Sequence, residues 1–217
     1  MGRRRCCCEC WTAGDDFTGS NAAGAGWGSK WDASNALCNL DTNRGKLESG
    51  YVLFNERLPD SRGACIIQLD LVDCQDNDIW EIRFGWNNAS NYLAVQIEVD
   101  GTDLIQRIKS TADAGWYSDD VEQTAGCGTD QRSAPSAGGT QNIIVTYNRS
   151  MVQISGTIVL SGGIVHWLCR DVPATPANRI ALAHGGGPRA IYFDNLDLSD
   201  HYANNRICPY YGCPCTQ

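Results

Sequence analysis

The stretch Asp78-Ile79-Trp80-Glu81-Ile82-Arg83-Phe84-Gly85-Trp86, followed closely by Tyr92-Leu93-Ala94-Val95-Gln96-Ile97-Glu98-Val99-Asp100, decides the fold. In the first run Trp80, Ile82, Phe84 and Trp86 take the even positions, while Glu81 and Arg83 stand between them. In the second the parity reverses: Leu93, Val95, Ile97 and Val99 alternate with Gln96 and Glu98. Side chains point to opposite faces at each step of a strand, so this period of two marks antiparallel strands with one buried face. Trp80, Ile82, Phe84, Trp86, Leu93, Val95 and Ile97 are therefore expected in a core. Glu81, Arg83, Gln96 and Glu98 are expected on the opposite face.

The same period extends outward in both directions. Cys65–Val72 sets Ile67, Leu69 and Leu71 against Gln68 and Asp70, and Asp100-Gly101 reads as a hairpin turn into Asp103–Ile108. Further strands are expected at Leu47–Phe54, Asn142–Tyr147, Met151–Val159, Ile164–Leu168, Ile180–Ala183 and Ala190–Leu198. Short strands at regular spacing, divided by Gly, Asn and Asp clusters, imply an all-β antiparallel sandwich or barrel. The longest irregular stretch, Ser110 to Gln141, has room for a short strand around Trp116-Tyr117.

Composition narrows the function classes. The 217 residues carry a net charge of −8, which argues against a nucleic-acid binder, since phosphate recognition needs a basic face. No apolar run reaches the roughly 20 residues of a membrane-spanning helix. Met1-Gly2-Arg3-Arg4-Arg5 runs straight into Cys6-Cys7-Cys8-Glu9-Cys10 where the apolar part of a secretory leader would stand, so no Sec-type leader is visible.

A family resemblance rests on both ends of this pattern. Asp15-Asp16-Phe17-Thr18-Gly19, Trp27, Trp31 and Gly45-Lys46-Leu47 are similar to the opening of concanavalin A-like, laminin G-like jelly-roll domains. Ile180-Ala181-Leu182-Ala183 and Ile191-Tyr192-Phe193-Asp194-Asn195-Leu196 resemble their close. The resemblance implies two curved antiparallel sheets over residues 15–199, flanked by Cys-rich tails at 1–14 and 200–217. It also implies that the first and last strands lie side by side, and that glycans or proteins bind at the concave face or rim loops.

Seven of the 12 cysteines lie in the tails: Cys6, Cys7, Cys8, Cys10, Cys208, Cys213 and Cys215. Five are internal: Cys38, Cys65, Cys74, Cys127 and Cys169. Both sets are odd, so complete pairing within the chain would join an end to the body. The tail cysteines suit disulfides within or between chains; Cys7-x-x-Cys10 with Cys213-x-Cys215 also suits a structural zinc site, and a reduced tail is the third reading. Cys65, in phase with Ile67 and Leu69, reads as a small buried apolar residue.

Jelly-roll glycanases use two carboxylates on the concave sheet, roughly 5–5.5 Å apart in retaining enzymes. The polar faces of three strands would point Asp70, Glu81, Arg83, Gln96 and Glu98 the same way if those strands are neighbours, and Glu81 and Glu98 would then fill that role. However, Gln96-Ile97-Glu98-Val99-Asp100 has Gln where the family's acid run begins and lacks the third acid. The plainer reading is a solvated face with a cross-strand Arg–carboxylate pair. Tyr92, Trp116 and Tyr117, with Arg83 and Gln96, are the candidate glycan contacts. Asp76-Asn77-Asp78 offers hard oxygen ligands for calcium through Asp76 and Asp78, although Asp and Asn also favour turns for local reasons. Gly185-Gly186-Gly187 reads as a bend before the last strand. Asn88-Ala89-Ser90 and Asn148-Arg149-Ser150 fit the N-glycosylation pattern. The expected protein is thus a non-catalytic jelly-roll module, self-associating through its Cys-rich ends. It would be an extracellular, cell-surface or virion component, with glycan as a candidate partner. A divergent glycanase and a metal-stapled interaction domain are the alternatives.

Overall fold

The computed structural model describes residues 12–56, 64–101, 103–110, 115–117, 132–133, 137–148, 153–160, 164–171 and 179–200. These residues hold 14 strands, every pairing is antiparallel, and there is no helix among them. In chain order they are β1 Thr12–Asp15, β2 Trp31–Leu40, β3 Gly45–Phe54, β4 Ala64–Cys74, β5 Ile79–Asn88, β6 Asn91–Asp100 and β7 Asp103–Ser110. There follow β8 Gly115–Tyr117, β9 Arg132–Ser133, β10 Gly139–Asn148, β11 Gln153–Leu160, β12 Ile164–Asp171, β13 Ala181–His184 and β14 Ile191–Asp200.

The hydrogen-bonded path runs β12-β11-β10-β4-β14-β3-β13-β5-β6-β7-β8 and folds over on itself at β3. The first half of β3 pairs with β14 (Leu47 opposite Ile191), and its second half pairs with β13 (Leu53 opposite Ala181). Gly50 marks the corner. Its φ is +78°, and a Cβ there would strike the Asn35 carbonyl oxygen, so the bend requires glycine.

Between the two layers lies one apolar cluster. β4, β10 and β14 contribute Ile67, Leu69, Leu71, Ile143, Val145, Ile191 and Phe193, while β5, β6 and β13 contribute Trp80, Ile82, Phe84, Val95, Ile97 and Leu182. The alternation read from the sequence thus gives the correct inner face for Trp80, Ile82, Phe84, Val95 and Ile97. The side chain of Leu93 lies outside the described residues, as does that of Cys65.

The ends meet as the resemblance implies. β1 pairs with β14, with Thr12 opposite Ser199 and Asp15 opposite Leu196, so ordered strand begins inside the segment expected as a tail. Phe17, Trp27, Trp31 and Phe54 form a chain of ring contacts with centroids 5.0–5.2 Å apart between Phe17 and Trp27, Trp27 and Trp31, and Trp31 and Phe54. Trp31 Nε1 donates to Asp15 Oδ2 at 2.6 Å and Trp27 Nε1 to the Lys46 carbonyl at 2.9 Å, which satisfies both indoles as their rings are buried.

Candidate functional site

The outer face of the β3–β13–β5–β6 layer carries a group of polar and aromatic side chains in mutual contact. Register fixes who meets whom. Glu81 lies opposite Gln96 on β6 and Ala183 on β13; Arg83 lies opposite Ala94 and Ala181. The two alanines are fully buried beside Arg83, and their small side chains leave its guanidinium room to lie across the sheet.

Arg83 Nε donates to Glu81 Oε2 at 2.8 Å, and its terminal Nη2 stands 2.7 Å from the same oxygen. Gln96 Nε2 donates to the other oxygen, Oε1, at 3.5 Å. Both oxygens of Glu81 are therefore engaged, and its side chain is only 6% exposed. The expected ion pair exists, but it runs along one strand from residue 81 to residue 83 rather than between strands. The guanidinium carbon also lies 4.6 Å from the Tyr92 ring centre, 5.4 Å from Tyr51 and 5.8 Å from Trp86, within cation–π range of all three. Trp86 stacks on Tyr92 at 5.2 Å, and Tyr51 tilts against Trp86 at 4.7 Å.

Trp86 corrects the strict alternation. It belongs to this outer cluster with Leu53, Tyr92, Ala94 and Ala181, and not to the core of Trp80 and Phe84. The cause is local: the β5–β6 register shifts between Phe84 and Asn88, and Gly85 has a φ of +58°. Such a bulge moves later side chains to the other face. Tyr92 lies on the polar-phase face as expected, but it is 5% exposed and stacked rather than open. Tyr51 was missed because the turn at Gly50 reverses parity within β3; that glycine was the available signal.

The remaining expected site residues are dispersed. Asp70 does not join Glu81, because β4 lies in the other layer between β10 and β14; it accepts hydrogen bonds from Asn142 and Asn195 instead. Glu98 is opposite Ile79, one diagonal step from Glu81. Diagonal partners on neighbouring antiparallel strands are typically about 7–8 Å apart. Trp116 and Tyr117 do form a short strand, β8, but their side chains lie outside the described residues, as do all seven tail cysteines. Cys38 and Cys74 are free and buried; desolvation raises their thiols to about 11 and about 12, so both stay protonated at neutral pH.

The Asp76-Asn77-Asp78 turn uses its carboxylates internally. Asp76 Oδ1 accepts the Gly101 N–H at 2.7 Å, and Asp78 Oδ2 accepts the Gln75 N–H at 2.8 Å. Asp78 Oδ1 has an ion contact with Arg189 Nε at 3.2 Å, without hydrogen-bond alignment. Burial pushes Asp78 up to about 6. Burial also works to raise Asp73, but hydrogen bonds from Gln75 and Arg189 outweigh it and hold that carboxyl low. Among the described residues no group of three His, Cys, Asp or Glu is placed to hold a metal ion. The triple glycine packs on this turn, as the bend reading requires: a Cβ on Gly185 would strike Ile79, and one on Gly187 the Asn77 carbonyl.

No family model matches the chain, and no curated protein matches it. Solved structures do. Peanut lectin aligns at 12% identity with a TM-score of 0.57, covering 88% of this chain and 97% of the lectin. The fold is the concanavalin A-like jelly roll. A pseudo-β-1,3-glucanase and immunostimulatory antigen of Mycobacterium tuberculosis aligns at 16% identity and a TM-score of 0.53, covering 87% of this chain and 98% of that one. A sialidase aligns at 17% and 0.57 over 89% of this chain, which spans 19% of the sialidase's length. The jelly roll is thus shared with lectins and glycosidases alike, and at such identities the likeness describes the fold.

Proposed function

We propose that this jelly roll is a non-catalytic carbohydrate-binding module whose contact face is the Tyr51–Arg83–Trp86–Tyr92 cluster. The observation that carries the reading is the engagement of Glu81. A retaining or inverting glycosidase needs two carboxyl groups with oxygens available to the sugar, one as acid and one as nucleophile or base. Glu81 has given both oxygens to Arg83 and Gln96. What the face offers a ligand is a half-buried tyrosine beside a guanidinium, and flat aromatic surface with adjacent polar donors suits a sugar ring. Lectins among the structural neighbours support the binding half of this reading. A neighbour described as a pseudo-β-1,3-glucanase supports the non-catalytic half. The test is an array of neutral and acidic oligosaccharides probed with the full chain, followed by calorimetry on each hit. Binding that Tyr51→Ala weakens at least tenfold supports the proposal; binding indifferent to Tyr51, or none on the array, overturns it.

A second reading, self-association through the tails, is favoured by the β1–β14 pairing, which sets Thr12 opposite Ser199. The described residues 12 and 200 thus lie at one edge of the sheet, and on this reading the Cys-rich segments beyond them would link there to each other, to a shared metal such as zinc, or to a neighbouring copy in an extracellular or virion assembly. Light scattering of the full chain with and without reductant and chelator tests it. A monomer under all conditions, with the tail thiols free, contradicts it.

A further inference from the structure

We propose that Asn88 is an acceptor site for N-linked glycosylation. This rests on the β5–β6 hairpin and not on the carbohydrate-binding reading. Asn88-Ala89-Ser90 has the required spacing, with no proline between the amide and the hydroxyl residue. In the fold the tripeptide occupies the hairpin tip: Asn88 pairs with Asn91, and Asn87, Asn88, Ala89 and Ser90 are all exposed.

The carboxamide is divided in its duties. Asn88 Oδ1 accepts the Ser90 N–H at 2.8 Å, which curls the backbone so that residue 90 returns beside the Asn88 amide. Among the described residues Asn88 Nδ2, the atom that must react, makes no hydrogen bond, while its partner oxygen is held. The hairpin's base is anchored two residues behind on one strand and one residue behind on the other by the Trp86–Tyr92 stack. The tip is presented on a fixed stem, outside both apolar clusters, and a bulky glycan there displaces nothing. The other match, Asn148-Arg149-Ser150, has its last two residues outside the described ones.

The donor is an oligosaccharide held on a lipid pyrophosphate. Asn88 Nδ2 forms a C–N bond to the anomeric carbon, the bond from that carbon to the pyrophosphate oxygen breaks, and the lipid pyrophosphate leaves with the electron pair. Nδ2 gives up one proton. No oxidation or reduction occurs.

The experiment translates the full chain behind a cleavable leader in the presence of endoplasmic-reticulum microsomes, with Asn148→Gln so that only one acceptor pattern remains. The expected result is a single slower-migrating species, collapsed by endoglycosidase, with the sugar mapped to Asn88 by mass spectrometry. Ser90→Ala should lose the modification, and Ser90→Thr, which keeps the hydroxyl, should retain or raise it. Absence of the shifted species in the Asn148→Gln chain, its persistence in Ser90→Ala, or its loss in Ser90→Thr would overturn the proposal.

Discussion

Replacing Arg83 by Met should destabilise the domain by about 3–4 kcal/mol, because it strands a carboxylate beneath the aromatic face. The Glu81 and Arg83 side chains are only 6% and 14% exposed, so the loss is that of a desolvated pair and not of a surface ion pair. Removing one partner of a buried pair typically costs about 3–5 kcal/mol, since the remaining charge stays buried and uncompensated. Here Gln96 keeps a 3.5 Å contact to Oε1, which places the loss at the lower end of that range. Met keeps an unbranched apolar stem at this position, so truncation contributes little. In a domain of this size about 1 kcal/mol moves Tm by roughly 2–4 °C, which predicts a drop of about 6–16 °C. The double variant Glu81→Gln/Arg83→Met removes both charges together and should lie within about 1 kcal/mol of the parent. Urea denaturation of the parent, Glu81→Gln, Arg83→Met and the double variant, with slopes compared, gives the coupling directly. A loss below about 1 kcal/mol for Arg83→Met, or additive single and double effects, would refute the claim that the guanidinium neutralises a buried carboxylate.

Three further outcomes follow from the same geometry. Asp78 is ionised with difficulty because burial raises it to about 6 from its ordinary 3.8, so between those values the folded state binds more protons than the unfolded one. Its contribution to stability therefore increases as pH falls from about 7 to about 4, by at most about 3 kcal/mol, and denaturation of Asp78→Asn across that range should lack this gain. Asp73, held low, acts in the opposite sense and loses its contribution only as pH falls below the ordinary carboxylate range. Gly185→Ala should cost about 1–3 kcal/mol because its Cβ meets the Ile79 side chain; a Tm within a degree of the parent would show that the β13–β14 turn gives way freely. Glu81→Gln and Glu98→Gln should leave a reducing-sugar assay at the baseline of the unmodified protein, and glycan cleavage lost in either variant would reverse the non-catalytic reading.

Most of the architecture was legible because one-sided strands write their burial into sequence with period two. β4, β5 as far as Phe84, and β6 show it, and Ile67, Leu69, Leu71, Trp80, Ile82, Phe84, Val95, Ile97 and Val99 take the inner face as read. β2 was missed because register shifts between Asp32 and Asn35 and between Leu37 and Cys38 break the alternation that would have revealed it. The candidate face was half legible. Glu81, Arg83, Gln96 and Tyr92 were found by parity, but Trp86 and Tyr51 reach that face only through the irregularities at Gly85 and Gly50. Asp70 was grouped wrongly because alternation tells which face a residue takes within its own sheet, and not which of two sheets its strand joins. Asp78 reads in sequence as a turn acid and candidate calcium ligand; its burial and its ion contact with Arg189, 111 positions later, are in no local pattern.

The most direct test of the non-catalytic binding face is to measure binding and hydrolysis on the same oligosaccharide set, using the unmodified full chain and Tyr51→Ala. The account predicts at least one glycan bound, no product released from any, and binding weakened at least tenfold by Tyr51→Ala with Tm retained to within a few degrees. Product release that Glu81→Gln abolishes, or glycan binding untouched by Tyr51→Ala, would contradict it.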